Sequence, residues 1–130
     1  MVIDTSILIA ILANEPEAEL FEAAIDADPI RLISAASVLE AAIVATARYG
    51  DIGGRELDLL LYKAEIQIVA VTADQVDAGR HAFSTYGKGR HPAGLNFGDC
   101  FSYALAKTSG EPLLFKGNDF CQTDAAGEPP

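Results

Sequence analysis

The chain has 130 residues, half of them hydrophobic, and a net charge of −10. This length predicts a single domain with its own core, and the longest apolar stretch, SILIAILA, is far shorter than the roughly 20 residues that span a bilayer. Asp4 stands where a signal peptide would carry basic residues, so we expect a cytoplasmic protein with no membrane partner.

Short apolar strands alternate with helical patterns along the chain. The predicted strands are 1–3, 31–34, 66–72 and 112–116. The predicted helices are 6–13, 15–27, 35–49, 53–65, 74–87 and 96–110. Ser34 is expected to cap the third helix and Thr72 or Asp74 the fifth, while Gly50 and Gly110 are expected to end helices. The order predicts an α/β fold in which a short parallel sheet is covered by helices on both faces.

The domain is predicted to cover residues 1–124, followed by a frayed tail over 125–130. Neither Cys100 nor Cys121 lies in a metal-site or CxxC spacing, so we interpret both as reduced thiols. The acidic balance argues against a nucleic-acid partner, because phosphates favour a basic surface. That argument weakens if some of the acids bind a metal ion, since a bound cation changes the local sign of the charge.

Four acids are predicted at one edge of the sheet, where the strands end and the next helices begin. They are Asp4, Glu40, Asp99 and Asp119. Each also has a purely structural interpretation. Asp4, Thr5 or Ser6 could cap the first helix, Asp99 has a capping-box spacing to Asn96, and Asp119 could cap a final turn. Glu40 has small or apolar helical neighbours, and a lone arginine could pair with it as well as a metal ion could.

Converging carboxylates raise one another's pKa values, and a divalent cation relieves this repulsion. Carboxylates with water are typical ligands of Mg²⁺ or Mn²⁺, whereas the His and Cys ligands of a zinc site are missing. We therefore expect Asp4 and Asp99 to hold Mg²⁺ or Mn²⁺, with all four acids taking part in catalysis. Such a metal can activate water and stabilise charge on a phosphate, which indicates phosphodiester hydrolysis.

Polar and basic residues near these acids are expected to support them. Those expected to orient the ligands and water are Thr5, Ser6 and Asn96. Those expected to contact phosphate are Lys88, Arg90, His91 and Lys116. The glycine-rich loop that carries the first three could equally be a solvated loop, and Lys116 could instead balance the acids.

Four blocks of sequence resemble the PIN-domain family and, more closely, its VapC toxins. The blocks are MVIDTS, SVLEAA, LNFGDCFSYALAK and LLFKGNDF, and the resemblance runs from Met1 to about Asp124. It implies a PIN-like three-layer sandwich and a metal-dependent endoribonuclease that uses Mg²⁺ or Mn²⁺. It also implies an RNA substrate, a homodimer and inhibition by a small VapB-like antitoxin. By position, Asp4, Glu40 and Asp99 match the family's metal-binding acids. Asp119 matches its more variable fourth acid, a role that Asp124 could share.

Two other functions fit part of the pattern. A receiver domain is also a small α/β fold with an acidic Mg²⁺ pocket and a lysine that ends the last strand. It requires an acid pair after the first strand and an aspartate ending a middle strand, and the chain has neither. A catalytically silent PIN-like binding module is the second alternative, and a metal-dependent cleavage assay distinguishes it from an enzyme.

Overall fold

The computed structural model describes residues 1–125, which form four strands and six helices. The strands are β1 (Val2–Ile3), β2 (Leu32–Ser34), β3 (Gln67–Val69) and β4 (Leu113–Leu114). The helices are α1 (Thr5–Leu12), α2 (Ala18–Ala27), α3 (Ala35–Tyr49), α4 (Asp51–Lys63), α5 (Ala73–Tyr86) and α6 (Phe97–Ser109). Apart from Ala125, the predicted tail lies outside the described residues.

The four strands form one parallel sheet in the order β3-β2-β1-β4. Val2 at its centre pairs with Leu32 on one side and with Leu113 on the other. Side chains alternate between the faces of a strand, so Val2 packs into the core against α5 and α6 while Ile3 packs into the core against α1 to α4. The predicted α/β sandwich with helices on both faces of a short parallel sheet is confirmed.

The third strand is shorter than the predicted range 66–72 because the residues after Val69 leave the sheet and lead into the cap of α5. The backbone oxygen of Ala70 accepts a hydrogen bond from the Gln75 side chain at 3.1 Å. The hydroxyl of Thr72 accepts one from the backbone N–H of Gln75 at 3.2 Å, which caps α5. Ile68 lies on the edge strand and is 51% exposed, so apolar composition alone overstated both the length and the burial of this strand.

Besides Thr72 on α5, three polar residues cap helices that begin at the carboxyl edge of the sheet or close to it. Asp4 caps α1, Ser34 caps α3 and Asn96 caps α6, each through a side-chain oxygen that accepts a backbone N–H. The caps place the first turns of these helices, and the side chains they carry, at the same end of the molecule. No helix within residues 1–125 has the length and apolar character needed to cross a membrane.

Helices α3 and α4 cross closely at Gly53. A Cβ atom at this buried position would lie 2.3 Å from the backbone oxygen of Ala45. A backbone atom cannot move aside as the end of a side chain can, so the contact requires glycine. One residue further on, a Cβ at Gly54 would meet only the Thr46 hydroxyl, at 3.9 Å.

We predict that Gly53→Ala lowers the free energy of unfolding by about 1–3 kcal/mol through overpacking. Gly54→Ala is the matched control and should leave stability unchanged or raise it by up to about 1 kcal/mol, because alanine is the better helix former. Urea unfolding followed by circular dichroism measures both variants. Equal stability of the two would contradict the close crossing of α3 and α4.

Candidate active site

A cavity of about 360 Å³ opens at the carboxyl edge of the sheet. It is lined by Asp4, Thr5, Ser6, Ile9, Glu15, Glu40, Val44, Arg48, Asn96, Asp99 and Lys116. Three of the four acids predicted for this edge therefore face one space, although they are up to 95 residues apart in sequence.

Asp4 is buried and held by hydrogen bonds on both carboxylate oxygens. It directly follows β1, and its backbone N–H donates to the oxygen of Leu114 at 3.0 Å. Its Oδ1 accepts from the Ser102 hydroxyl at 2.5 Å, and its Oδ2 accepts from the Ser6 hydroxyl at 2.6 Å and the Ser6 N–H at 3.0 Å. Asp4 is thus the cap of α1 and, in the same orientation, one of the carboxylates that line the cavity.

The hydroxyls that follow Asp4 connect it to neighbouring elements. The Ser6 oxygen also accepts a hydrogen bond from the backbone N–H of Lys116 at 3.0 Å, which joins the end of β4 to the site. Thr5 donates to the backbone oxygen of Ser37 on α3 at 3.2 Å. Ser6 therefore orients Asp4 directly, whereas Thr5 anchors the start of α1 against α3.

Asp99 lies in the first turn of α6 and forms a capping box with Asn96. The Asn96 side chain accepts from the Asp99 N–H at 3.0 Å, and Asp99 Oδ2 accepts from the Asn96 N–H at 2.9 Å. Burial is the main reason that the pKa of Asp99 is raised to about 7. The Asn96 hydrogen bond lowers this pKa, and the negative charges of Asp4 and Asp119 raise it further. The structural interpretation of Asp99 is correct, and the residue is also one member of a group of repelling carboxylates.

Glu40 lies on α3 in the wall of the cavity, half-buried. Its carboxylate packs against Gly98 in the first turn of α6. Beside it on α3, Leu39 and Ile43 are 62% and 61% exposed, so only the side of Glu40 that faces α6 is enclosed. The carboxylate accepts no hydrogen bond from the side chains and backbone of residues 1–125 and is free to meet a ligand.

The two candidates for the fourth acid lie in different places. Asp119 is exposed in the turn after β4 and interacts with the Asp99 carboxylate. Asp124 accepts a hydrogen bond from the Tyr103 hydroxyl at 2.8 Å and a salt bridge from Lys107 at 3.0 Å. Although burial opposes them, these two donors hold the pKa of Asp124 below its usual range. Asp119 thus lies close enough to influence Asp99, although it does not line the cavity, whereas Asp124 is engaged by Tyr103 and Lys107.

The acids approach one another without forming a complete ligand set. Within residues 1–125, no three Asp, Glu, His or Cys side chains are close enough together to hold a metal ion in their present positions. The donors fit Mg²⁺ or Mn²⁺ in kind, because both ions prefer oxygen ligands with water completing the shell. Burial is the main cause of the raised pKa of Asp99, and the negative charges of Asp4 and Asp119 add to it; a cation would remove that repulsion.

Lys116 is committed to two other acids of the α1–α2 connection. Its ammonium group pairs with Glu15 and, at 3.2 Å, with Glu17. The hydrogen bond to Glu15 is the main reason that the pKa of Lys116 is raised. Lys116 lines the cavity as expected, but the charges that it balances are not those of the four predicted acids.

The glycine-rich loop that carries Lys88, Arg90 and His91 folds toward α5. The Arg90 guanidinium lies 5.8 Å from the ring centre of Phe83, and the His91 ring packs edge-on against Tyr86 at 5.1 Å. Lys88, Arg90 and His91 are not among the residues that line the acidic cavity, and their contact with phosphate stays a prediction.

Sequence analysis missed three residues of the site. Ser102 fixes Asp4, Gly98 makes room for Glu40, and Arg48 is a cation in the cavity wall. Ser102 and Gly98 each had a signal in the sequence: Ser102 is a small polar residue one turn after Asp99 on a helix that is otherwise mostly apolar there, and Gly98 is a glycine in the first turn of a helix. Arg48 lies about two turns after Glu40 on α3, too far along the helix for sequence spacing alone to predict that both line one cavity.

Comparison with known proteins places the chain in a family. The PIN domain family model matches residues 1–126. Ribonuclease VapC30 of Mycobacterium tuberculosis is 67% identical over 126 residues, which cover 97% of this chain and 96% of that protein. Ribonuclease VapC of Mycolicibacterium smegmatis is 64% identical over 126 residues, which cover 97% of this chain and 98% of that protein.

Two solved structures share the fold. One is M. tuberculosis VapC20, described as a Sarcin-Ricin loop cleaving toxin, with a TM-score of 0.76, 16% identity and 98% of both chains covered. The other is a toxin-antitoxin complex from Klebsiella pneumoniae, with a TM-score of 0.73, 19% identity and coverage of 98% of this chain and 95% of that one. At these identities the likeness concerns the fold alone.

The raised pKa of Asp99 predicts how the metal-free protein responds to pH. Folding favours the protonated carboxyl, so its contribution to stability is complete below the usual value of 3.8 and is lost as the pH rises through about 7. Asp99→Asn keeps an oxygen acceptor but does not titrate. With a chelator present, the melting temperature of wild type relative to Asp99→Asn should fall across this pH range. A constant difference between the two proteins would contradict a raised pKa at Asp99.

Proposed function

Because the chain belongs to the PIN-domain family and to its VapC ribonucleases, we propose that it is a metal-dependent endoribonuclease. It acts as the toxin of a type II toxin–antitoxin pair. The observation that carries this proposal is the cavity shared by Asp4, Glu40 and Asp99. Family membership excludes the receiver-like alternative.

The proposed cofactor is Mg²⁺ or Mn²⁺, held by Asp4 and Asp99. When bound, the ion would activate water and neutralise charge that develops on the phosphate. The chain's own residues prepare the site for it: Ser102 and Ser6 fix the Asp4 carboxylate, and Asn96 fixes one oxygen of Asp99. Such supporting hydrogen bonds orient ligands and reduce the reorganisation that binding requires.

Glu40 is proposed to orient the attacking water and to accept its proton. Its carboxylate lines the cavity and accepts no hydrogen bond from residues 1–125, so it is available to a water bound there, and a general base must reach the proton that it accepts. Asp119 is proposed as the fourth acid because it interacts with Asp99, while Asp124 is engaged by Tyr103 and Lys107.

Arg48 is the proposed RNA contact within the cavity itself. The chain carries ten more negative than positive charges, and four acids line this cavity, so an approaching phosphate needs a nearby cation. Lys116 is paired with Glu15 and Glu17. Arg48 is exposed and forms no salt bridge with another residue of the described part of the chain, so its charge is available to phosphate.

The antitoxin partner is proposed to bind beside the acids. Leu39 and Ile43 are one helical turn apart on α3, more than half exposed, and flank Glu40. This spacing suits an amphipathic helix laid along α3. An arginine that follows such a helix could enter the cavity and pair with the carboxylates in place of the metal.

A homodimer is proposed through the aromatic face between α5 and α6. A mostly apolar cavity of about 580 Å³ lies there, lined in part by Val76, Phe83, Phe97 and Phe101. Phe97 is 80% exposed, and its ring contacts Phe101 edge-on at 4.9 Å. A second copy would remove this aromatic surface from water.

The proposed activity is tested by cleavage of total bacterial RNA with purified protein and Mg²⁺ or Mn²⁺. Wild type should cleave, and Glu40→Gln should lower the rate about a hundredfold or more, the size of a general-base effect. Glu19→Gln on α2 is the control, since Glu19 is exposed and outside the cavity. A wild-type protein that cleaves with neither metal would favour the silent binding module, and cleavage by Glu40→Gln would remove Glu40 from the mechanism.

A second prediction distinguishes the contribution of Arg48 to RNA binding from that of the glycine-rich loop. In the Glu40→Gln background, binding of a labelled single-stranded RNA is measured across salt concentrations. Losing one phosphate contact should reduce the slope of log affinity against log salt by about 0.7. We expect this change for Arg48→Gln and none for the exposed control Arg55→Gln. The same assay tests the glycine-rich loop with a variant that carries both Lys88→Gln and Arg90→Gln. An unchanged slope would mean that this loop is solvated and does not contact phosphate.

A further inference from the structure

We infer that Gly98 is a positioning residue for Glu40: the missing side chain at this position lets the Glu40 carboxylate rest against the first turn of α6, next to Asp99. The inference rests on the proposed function, in which Glu40 takes part in RNA cleavage. In this inference, a residue that has no reactive group of its own determines where a reacting group is held.

The geometry leaves no space for any other residue. A Cβ atom built at Gly98 would lie 2.1 Å from Glu40 Oε2, 2.8 Å from Cδ and 2.9 Å from Oε1. All three atoms of the carboxylate are thus closer than a real Cβ permits. The carboxylate occupies the volume that a side chain at position 98 would fill.

Neither backbone conformation nor helix stability explains a glycine here. Gly98 lies within α6, and its φ is not in the left-handed region where glycine is favoured. In a helix, glycine is less favourable than every residue except proline. Space for Glu40 is the remaining reason, and the positive end of the α6 dipole favours a carboxylate at this place.

Replacing Gly98 should move Glu40 without unfolding the protein. The atoms in the way are the end of a flexible side chain, and the α3 surface next to Glu40 is open to solvent at Leu39 and Ile43. Glu40 can therefore swing outward. At Gly53 the obstructing atom is the backbone oxygen of Ala45, which cannot move in this way. The two glycines should therefore respond to alanine in opposite ways.

The test compares Gly98→Ala with Gly54→Ala, a helical glycine where an added methyl meets nothing closer than 3.9 Å. Both variants should melt at or above the wild-type temperature. The kcat for RNA cleavage should fall about a hundredfold in Gly98→Ala, the effect of a displacement of about 1 Å in a reacting group, and should not change in Gly54→Ala. In the Glu40→Gln background, Gly98→Ala should lower the residual rate no further, because the two changes act through one group.

A second readout does not depend on activity. The ¹³C chemical shift of the Glu40 side-chain carboxyl, assigned by its loss in Glu40→Gln, should change in metal-free Gly98→Ala and stay constant in Gly54→Ala. An unchanged shift with wild-type kcat would overturn the inference, as would a Gly98→Ala protein that loses stability. If wild type cleaves no RNA, the proposed function fails, while the carboxyl shift still decides whether Gly98 places Glu40.

Discussion

The gathering of carboxylates at a partly buried edge of the sheet is the constraint on which the rest of the site depends. Asp99 is pushed toward neutrality by burial and by Asp4 and Asp119, yet the fold brings these groups together from three separate elements. Hydrogen bonds from Ser102 and Asn96 hold two of the carboxylates in place at distances of 2.5 and 2.9 Å. A fold that concentrates negative charge in this way is prepared to bind a cation, and the stability lost in its absence is the cost of that preparation.

The same residues build the fold and the site. The Asp4 side chain caps α1 and lines the cavity, and the Asn96–Asp99 capping box starts α6 while it orients an acid. A structural interpretation of such a residue and a functional one are therefore not competing explanations. The parallel sheet makes the combination possible, because it collects strand ends and helix starts at one edge.

Local chemistry made the starts of several helices predictable from the sequence. The caps Asp4, Ser34 and Asn96 follow from short polar side chains placed just before apolar helical patterns. Tertiary proximity was not readable in the same way. Ser102 reaches Asp4 across 98 residues of sequence, and Gly98 meets Glu40 only after α3 and α6 pack. Asp124 is only five residues from Asp119, but the chain turns between them and carries it to Tyr103 and Lys107. Membership of the VapC ribonucleases supplies a function for the arrangement but does not by itself explain these contacts.

The central claim is that the cavity between Asp4 and Asp99 binds a divalent metal. A crystal of the wild-type protein soaked in Mn²⁺ and measured at the manganese absorption edge tests it most directly, because anomalous scattering locates the ion independently of any activity. We expect a single strong peak between the carboxylates of Asp4 and Asp99, with these side chains drawn closer together than in the metal-free protein. A well-ordered crystal with no peak in this cavity, or with manganese bound only elsewhere, would contradict the account.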